Sequence, residues 1–216
     1  MAPEVNWRLD ILPDPQRRLW EAKIRRGFPG WVLYGGTALA LRLGHRESVD
    51  FDFFSAQPLQ PMAFREQHRL WGDILQAEPN TLTVVHEGVK LSFFGGLSLR
   101  VAAAADRLGG CWVAAGPDLA ATKLAALVNR VAAKDYRDVA CLLSAHLSLE
   151  EMLGYARAVY GDDFPVAPVL KSLVYFDPPE LAGLTKADRE RIERAVAGLR
   201  KIPEYHPVAE RIGGGG

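Results

Sequence analysis

A chain of 216 residues, 49% of them hydrophobic, is long enough for one sizeable core or for one domain with a helical extension. Its 26 basic residues balance its 26 acidic ones, which excludes a global electrostatic pull toward nucleic acid or a membrane surface, so an RNA partner would need a local basic patch. No uninterrupted apolar run reaches the roughly 18 residues of a spanning helix, and Met1-Ala2-Pro3-Glu4-Val5-Asn6-Trp7 has neither the basic nor the apolar region of a signal peptide.

Taken in order, the chain first predicts a helix over 13–26, with Leu12, Leu19 and Ile24 as apolar positions and Gly27 as the stop. An apolar strand over 31–34 runs into Gly35 and Gly36. A helix over 37–43 is ended by Gly44, and a strand over 49–54 carries Asp50 and Asp52. A helix over 61–75 starts with Pro61 in its first turn and has a basic side of Arg65, His68 and Arg69. Strands over 80–87 and 89–94 form a hairpin about Gly88, and 111–114 is a short strand. After Pro117 the pattern is helical: 118–132, 134–144, 149–160, 165–175 and 186–200. Ser148 with Glu151 forms a capping box, and Thr185 with Asp188 is a similar pair. The expected organisation is a mixed core over 1–116, a helical half over 117–212 that completes the cleft, and a flexible glycine tail over 213–216. Cys111 and Cys141 lie apart in apolar surroundings, which fits buried free thiols in a reducing cytoplasm.

Two stretches carry chemistry. In Asp50-Phe51-Asp52 the carboxylates are two apart on a strand, so they leave the same side of the sheet. Like charges held that close repel unless a cation sits between them. A hard ion with oxygen ligands, Mg²⁺ or Mn²⁺, removes that cost. In Gly35-Gly36-Thr37 the glycines lack Cβ and let the backbone approach a ligand, while Thr37 opens a helix whose free N–H groups and dipole favour an anion. Thirteen residues separate Gly36 from Asp50, enough for a short helix and a turn back to the adjacent strand. Phosphate cradle and metal ligands together make a nucleoside triphosphate site. Singly, each residue also has a plainer role: Asp50 and Asp52 on a solvated strand face, Ser48 in a turn, His45 and Arg46 in a loop, Lys123 as a long side chain lying over an Ala- and Leu-rich helix face, and Asp135 at a helix N-terminus.

The pattern Gly-Gly, thirteen residues, Asp-apolar-Asp resembles the signature of the polymerase β-like nucleotidyltransferase fold. The fuller string GGTALALRLGHRESVDFDFF resembles the opening motif of the AbiEii/AbiGii toxin family, which includes the MenT toxins. Asp118-Leu119-Ala120-Ala121-Thr122-Lys123 resembles that family's second block, and Lys134-Asp135-Tyr136-Arg137-Asp138 its K-D-x-x-D block. Leu173-Val174-Tyr175-Phe176-Asp177 is similar to one branch, so the resemblance covers residues 31 to 180.

The resemblance implies an α/β (α+β) fold, a mixed nucleotidyltransferase sheet followed by a helical C-terminal half. It implies a cytoplasmic Mg²⁺- or Mn²⁺-dependent enzyme that moves a nucleotidyl group from an NTP to an RNA hydroxyl, at the 3′ end of tRNA, as the toxin of a toxin–antitoxin pair. Asp50 and Asp52 would hold the metal. Gly35, Gly36, Thr37, Ser48 and Arg46 would bind phosphates, with Lys123 as a fixed cation. Lys123 and Asp138 would approach the same cleft from the helical half. Many polymerase β-like enzymes carry a third carboxylate on a neighbouring strand, where this chain has Ser92; Glu87, Asp135 or Asp138 would then have to accept the proton. Alternation predicts Leu91 and Phe93 toward the core and Ser92 toward the cleft. Two alternatives stay open: a non-catalytic nucleotide- or partner-binding relic, and a transferase that modifies a protein hydroxyl.

Overall fold

The apolar strands and the aspartate strand assemble into one sheet in the computed structural model, which describes residues 5–145 and 147–213. The start of the chain (1–4) and the glycines 214–216 of the expected tail lie outside the described residues. The chain divides into two units. The first comprises Met1–Leu99, Ala104–Ala115 and Ala209–Gly216; the second comprises Arg100–Ala103 and Gly116–Val208.

The first unit contains α1 (Asp14–Ala22), β1 (Val32–Tyr34), α2 (Gly35–Leu43), β2 (Asp50–Phe54), α3 (Pro61–Gln67), β3 (Gly72–Glu78), β4 (Thr81–His86), β5 (Val89–Phe94), β6 (Asp106–Leu108) and β7 (Cys111–Val113). The seven strands form a mixed sheet in the order β3-β4-β5-β2-β1-β7-β6. β2 is central. It pairs antiparallel with β1 on one side and parallel with β5 on the other. Its residues alternate as the sequence requires, with Phe51 and Phe53 fully buried and Asp50, Asp52 and Phe54 partly exposed. Behind it lies an aromatic cluster: Phe53 stacks on Phe93 with ring centroids 5.1 Å apart, and Phe28 meets both edge-on at 5.0 Å. Trp20 of α1 stacks against Phe51 at 6.2 Å. Rings packed this way contribute beyond their buried area and fix the backbone of β2 from behind.

Two expected helices of this unit end earlier than the sequence suggests. The first helix ends at Ala22, and Ile24–Arg26 form a single 3-10 turn before Gly27. A Cβ at Gly27 would stand 2.3 Å from the carbonyl oxygen of Gly110, so the chain passes tightly against that turn. The helix over 61–75 is corrected more severely. It stops at Gln67, and Gly72–Glu78 is a strand. Arg69 turns the chain with φ +50°, and Gly72 takes φ +140° where a Cβ would lie 1.9 Å from the carbonyl oxygen of Val85, so no other residue fits without displacement.

The second unit is helical: α4 (Gly116–Asn129), α5 (Ala133–Ser144), α6 (Leu149–Tyr160), α7 (Val166–Leu173) and α8 (Lys186–Gly198). α4 packs on α5, α6 and α7, and α8 packs on α5. The capping box is complete at α6: the Glu151 N–H donates to the Ser148 hydroxyl at 3.2 Å, and the Ser148 N–H donates to the Glu151 carboxylate at 2.8 Å. Thr185 caps α8 by accepting from the Asp188 N–H at 3.1 Å. Cys111 is buried and Cys141 half-buried, both as free thiols, and burial pushes the Cys111 thiol up to about 12. No helix among the described residues is long and apolar enough to cross a membrane.

Candidate active site

The site in the first unit is built where β1 turns into α2. Gly35 sits at φ +73°, and a Cβ there would stand 2.4 Å from Asp52 Oδ2. The turn therefore presses the backbone directly against the aspartate. Gly36 is approached from the other direction. A Cβ on it would meet Arg46 Nη2 at 2.7 Å and Ser48 Oγ at 2.9 Å. These two side chains, from the turn between α2 and β2, converge over the glycine. Gln16 supports that turn by donating to the carbonyl oxygen of Ser48 at 3.4 Å.

Thr37 is 1% exposed, and its hydroxyl donates to the carbonyl oxygen of Asp50. It thus ties α2 to the aspartate strand. What Thr37 offers an anion is its backbone N–H, one of the first-turn groups without an intrahelical partner. The side chain of Thr37 is thus occupied in holding β2 in place, which leaves its main chain for the phosphate contact expected from the sequence.

Asp50 and Asp52 share one face of β2. The parallel register sets Lys90 beside Asp50 and Ser92 beside Asp52. Lys90 Nζ lies 2.8 Å from Asp50 Oδ2, with the two side chains 39% and 22% exposed. Leu91 and Phe93 face the core at 0% exposure, as alternation predicts. Ser92 lies on the carboxylate side but is only 4% exposed, so it does not open onto solvent.

Two carboxylates on one face, with backbone drawn in so closely that only glycine fits, suit a small hard cation. Mg²⁺ commonly takes one or two protein carboxylates and fills its remaining positions with water and substrate phosphates. Among the described residues no group of three or more His, Cys, Asp or Glu side chains forms a metal cage. Two carboxylates are a donor set that such an ion can use.

In the second unit Lys123, Asp135 and Asp138 form a buried ion network. Lys123 Nζ lies 3.0 Å from Asp135 Oδ1 and 2.6 Å from Asp138 Oδ2, with both carboxylates fully buried and the lysine 5% exposed. Arg130, just past the end of α4, turns toward α5 and donates to Asp135 at 2.7 and 3.1 Å. On a helix running to 132, as the sequence suggests, Arg130 would share a face with Lys123 seven residues before it. The helix ends at Asn129, and both cations instead converge on Asp135. Burial alone would raise the Asp135 carboxyl. The bonds from Arg130 and Lys123 outweigh that, and its pKa lies below the ordinary carboxylate value.

The expected site residues are therefore gathered in two places. Gly35, Gly36, Thr37, Arg46, Ser48, Asp50 and Asp52 meet in the first unit; Lys123, Asp135 and Asp138 meet in the second. Glu87 sits in the hairpin turn at φ +51°, with a largely exposed side chain. Sequence reasoning gave no role to Lys90. It stands two residues before Ser92 on the same strand face, but the register that sets it beside Asp50 could not be read from local pattern.

The two glycines give a testable contrast. Gly35→Ala is expected to lower stability by about 1–3 kcal/mol, the cost of a non-glycine residue at such a backbone angle, and to weaken divalent-ion binding by displacing Asp52. Gly36→Ala meets only the movable ends of Arg46 and Ser48, so its unfolding midpoint should stay near wild type while nucleotide affinity falls. Thermal unfolding and calorimetric titration would check both; equal stability of the two variants would contradict the geometry.

Residues 18–110, which span both motifs of the first unit, match the family model described as nucleotidyl transferase AbiEii toxin, Type IV TA system. The uncharacterized protein aq_aa25 of Aquifex aeolicus (strain VF5) is 32% identical over 174 residues, 77% of this chain and 84% of that protein. The fold is similar to that of the "Crystal structure of putative nucleotidyltransferase from H. pylori", with a TM-score of 0.50 and 18% identity over 83% of this chain and 89% of the other. Likeness of sequence over most of a relative's length, a family match across both motifs and a shared mixed sheet lead to one assignment: the chain belongs to the AbiEii nucleotidyl transferase toxin family.

Proposed function

We propose that the protein is a Mg²⁺- or Mn²⁺-dependent enzyme that transfers a nucleotidyl group from a nucleoside triphosphate to an RNA hydroxyl, at the 3′ end of tRNA, as the toxin of a cytoplasmic pair with a cognate antitoxin. The observation that carries this reading is the packing at the glycine turn. Gly35 lies against the Asp52 carboxylate, and Arg46 and Ser48 close over Gly36. That is a phosphate cradle laid directly beside two metal-binding carboxylates.

In the reaction the acceptor hydroxyl gives up its proton to water, its oxygen bonds to the α-phosphorus, the bond from that phosphorus to the bridging oxygen breaks, and pyrophosphate leaves. Asp50 and Asp52 would hold the divalent ion, which when bound offsets the negative charge of the phosphates. The first-turn N–H groups of α2 and the Ser48 hydroxyl donate to phosphate oxygens. Arg46 carries the planar fork that pairs with them bidentately. Lys123, which the family motif implies as a further cation, is taken up by Asp135 and Asp138 within the second unit. Ser92 is no base at neutral pH, and its burial beside Asp52 is what favours the second reading, an inactive relic.

Incubation with each labelled NTP, Mg²⁺ or Mn²⁺, and total RNA or lysate tests the reading. Label is expected on RNA of tRNA size. Label on protein would identify a protein acceptor, and NTP binding without any labelled product would establish the relic.

A further inference from the structure

The strand beside the aspartates offers an ammonium and a neutral hydroxyl, and no acid. A two-ion site clamps the attacking and leaving oxygens between cations about 3.5–4 Å apart, and two cations that close need further negative charge to offset their repulsion. Here β5 places Lys90 and Ser92 against Asp50 and Asp52. Lys90 Nζ already lies 2.8 Å from Asp50 Oδ2. Ser92 is neutral and 4% exposed. A second divalent ion entering next to that ammonium would be repelled by it.

The pair is not a structural lock. Both side chains keep contact with solvent, at 39% and 22% exposure, and ion pairs of that kind hold weakly. The lysine is a point charge on a flexible stem with three rotatable donors. It can leave Asp50 for a neighbouring anion without any movement of the strand. The strand itself is pinned: Leu91 and Phe93, on either side of Ser92, are fully buried.

We propose that Lys90 stands in for a second metal ion. The site takes one divalent ion, and the Lys90 ammonium, which neutralises Asp50 beforehand, meets the anionic oxygens of the triphosphate. This rests on the nucleotide-site reading given above.

The test is Mn²⁺ titration followed by electron paramagnetic resonance, with a non-hydrolysable α,β-methylene NTP analogue, and calorimetry for the analogue itself. Wild type should bind one Mn²⁺ per complex. Lys90→Gln should bind the analogue roughly tenfold more weakly, the loss of one charged hydrogen bond. Without nucleotide it should bind Mn²⁺ about three- to tenfold more tightly, because the competing cation is gone. Lys90→Arg should restore most of the analogue affinity. Two Mn²⁺ per wild-type complex, or unchanged analogue affinity in Lys90→Gln, would overturn the inference about Lys90. Asp50→Asn separates the two levels: if it leaves Mn²⁺ and analogue binding intact, the nucleotide-site reading itself has failed.

Discussion

The Asp50→Asn protein is expected to lose divalent-ion-dependent NTP binding by roughly 100-fold or more, since even outer-shell partners of metal ligands change affinity by 10–100-fold. It should do so without unfolding. Asp50 is one of two carboxylates on the exposed face of β2, and it pairs with the half-exposed Lys90. A pair of that kind contributes about 0–1 kcal/mol to stability. The backbone of residue 50 is held independently, by the Thr37 hydroxyl and by β5. Asparagine keeps the shape and removes the charge. The unfolding midpoint should therefore match wild type while calorimetry with NTP and Mg²⁺ shows little heat. Unchanged affinity would refute the assignment of Asp50 as a metal ligand, and a collapse of the midpoint would show that the variant reports on folding instead.

Lys123→Ala should behave in the opposite way. Had its amine been partly exposed, loss of NTP affinity at little cost in stability would be expected. The amine is instead enclosed with two fully buried carboxylates. Removing one partner of a buried pair costs about 3–5 kcal/mol, because the charge left behind has no compensation. Urea unfolding should register that loss before any binding assay is interpretable. The pH dependence gives a second signature. In the wild type the Asp135 pKa is held below its unfolded value. The stability it contributes is present above the unfolded carboxylate pKa of about 3.9 and is lost as pH falls through the lower folded value. In Lys123→Ala, Asp138 loses the ammonium beside it, and burial then favours its protonated form more than in the wild type. The folded state would bind the proton more tightly than the unfolded one. The variant should thus recover stability on mild acidification, in a range where wild type is flat. A parallel pH profile for the two proteins would contradict the network.

The regions of this fold that could be read from sequence are those where local chemistry and tertiary packing agree. The aspartate strand alternates because one face is buried, so Phe51 and Phe53 announced the core and Asp50 and Asp52 the open side. The β4–β5 hairpin was marked by Gly88, and the start of α6 by Ser148 and Glu151. β3 was hidden for the converse reason. All seven of its residues are exposed, so it has no alternation, and Leu75, Gln76, Ala77 and Glu78 are good helix formers. Only its pairing with β4 makes it a strand. The site divides in the same way. The glycines and aspartates are legible because each has a backbone or charge reason to be there. The Lys90–Asp50 pair depends on the register of two strands about forty residues apart in sequence, which no local pattern encodes. The two bonds from Arg130 to Asp135 depended on α4 ending at Asn129, and nothing in Arg130-Val131-Ala132 signals that end strongly.

The exposure of β3 has a consequence for how the protein behaves in concentrated solution. An edge strand offers a row of unsatisfied N–H and C=O groups to any other chain, and this one is flanked by exposed Trp71 and carries exposed Ile74 and Leu75. Such an edge invites aggregation. The ladder to β4, however, shifts register between Ile74 and Gln76. The irregularity bends the strand and raises its local twist, so an incoming strand cannot follow a straight, evenly spaced row. Asp73 and Glu78 place a negative charge near each end of it. This register shift keeps the open side of the sheet from acting as a template for its own kind.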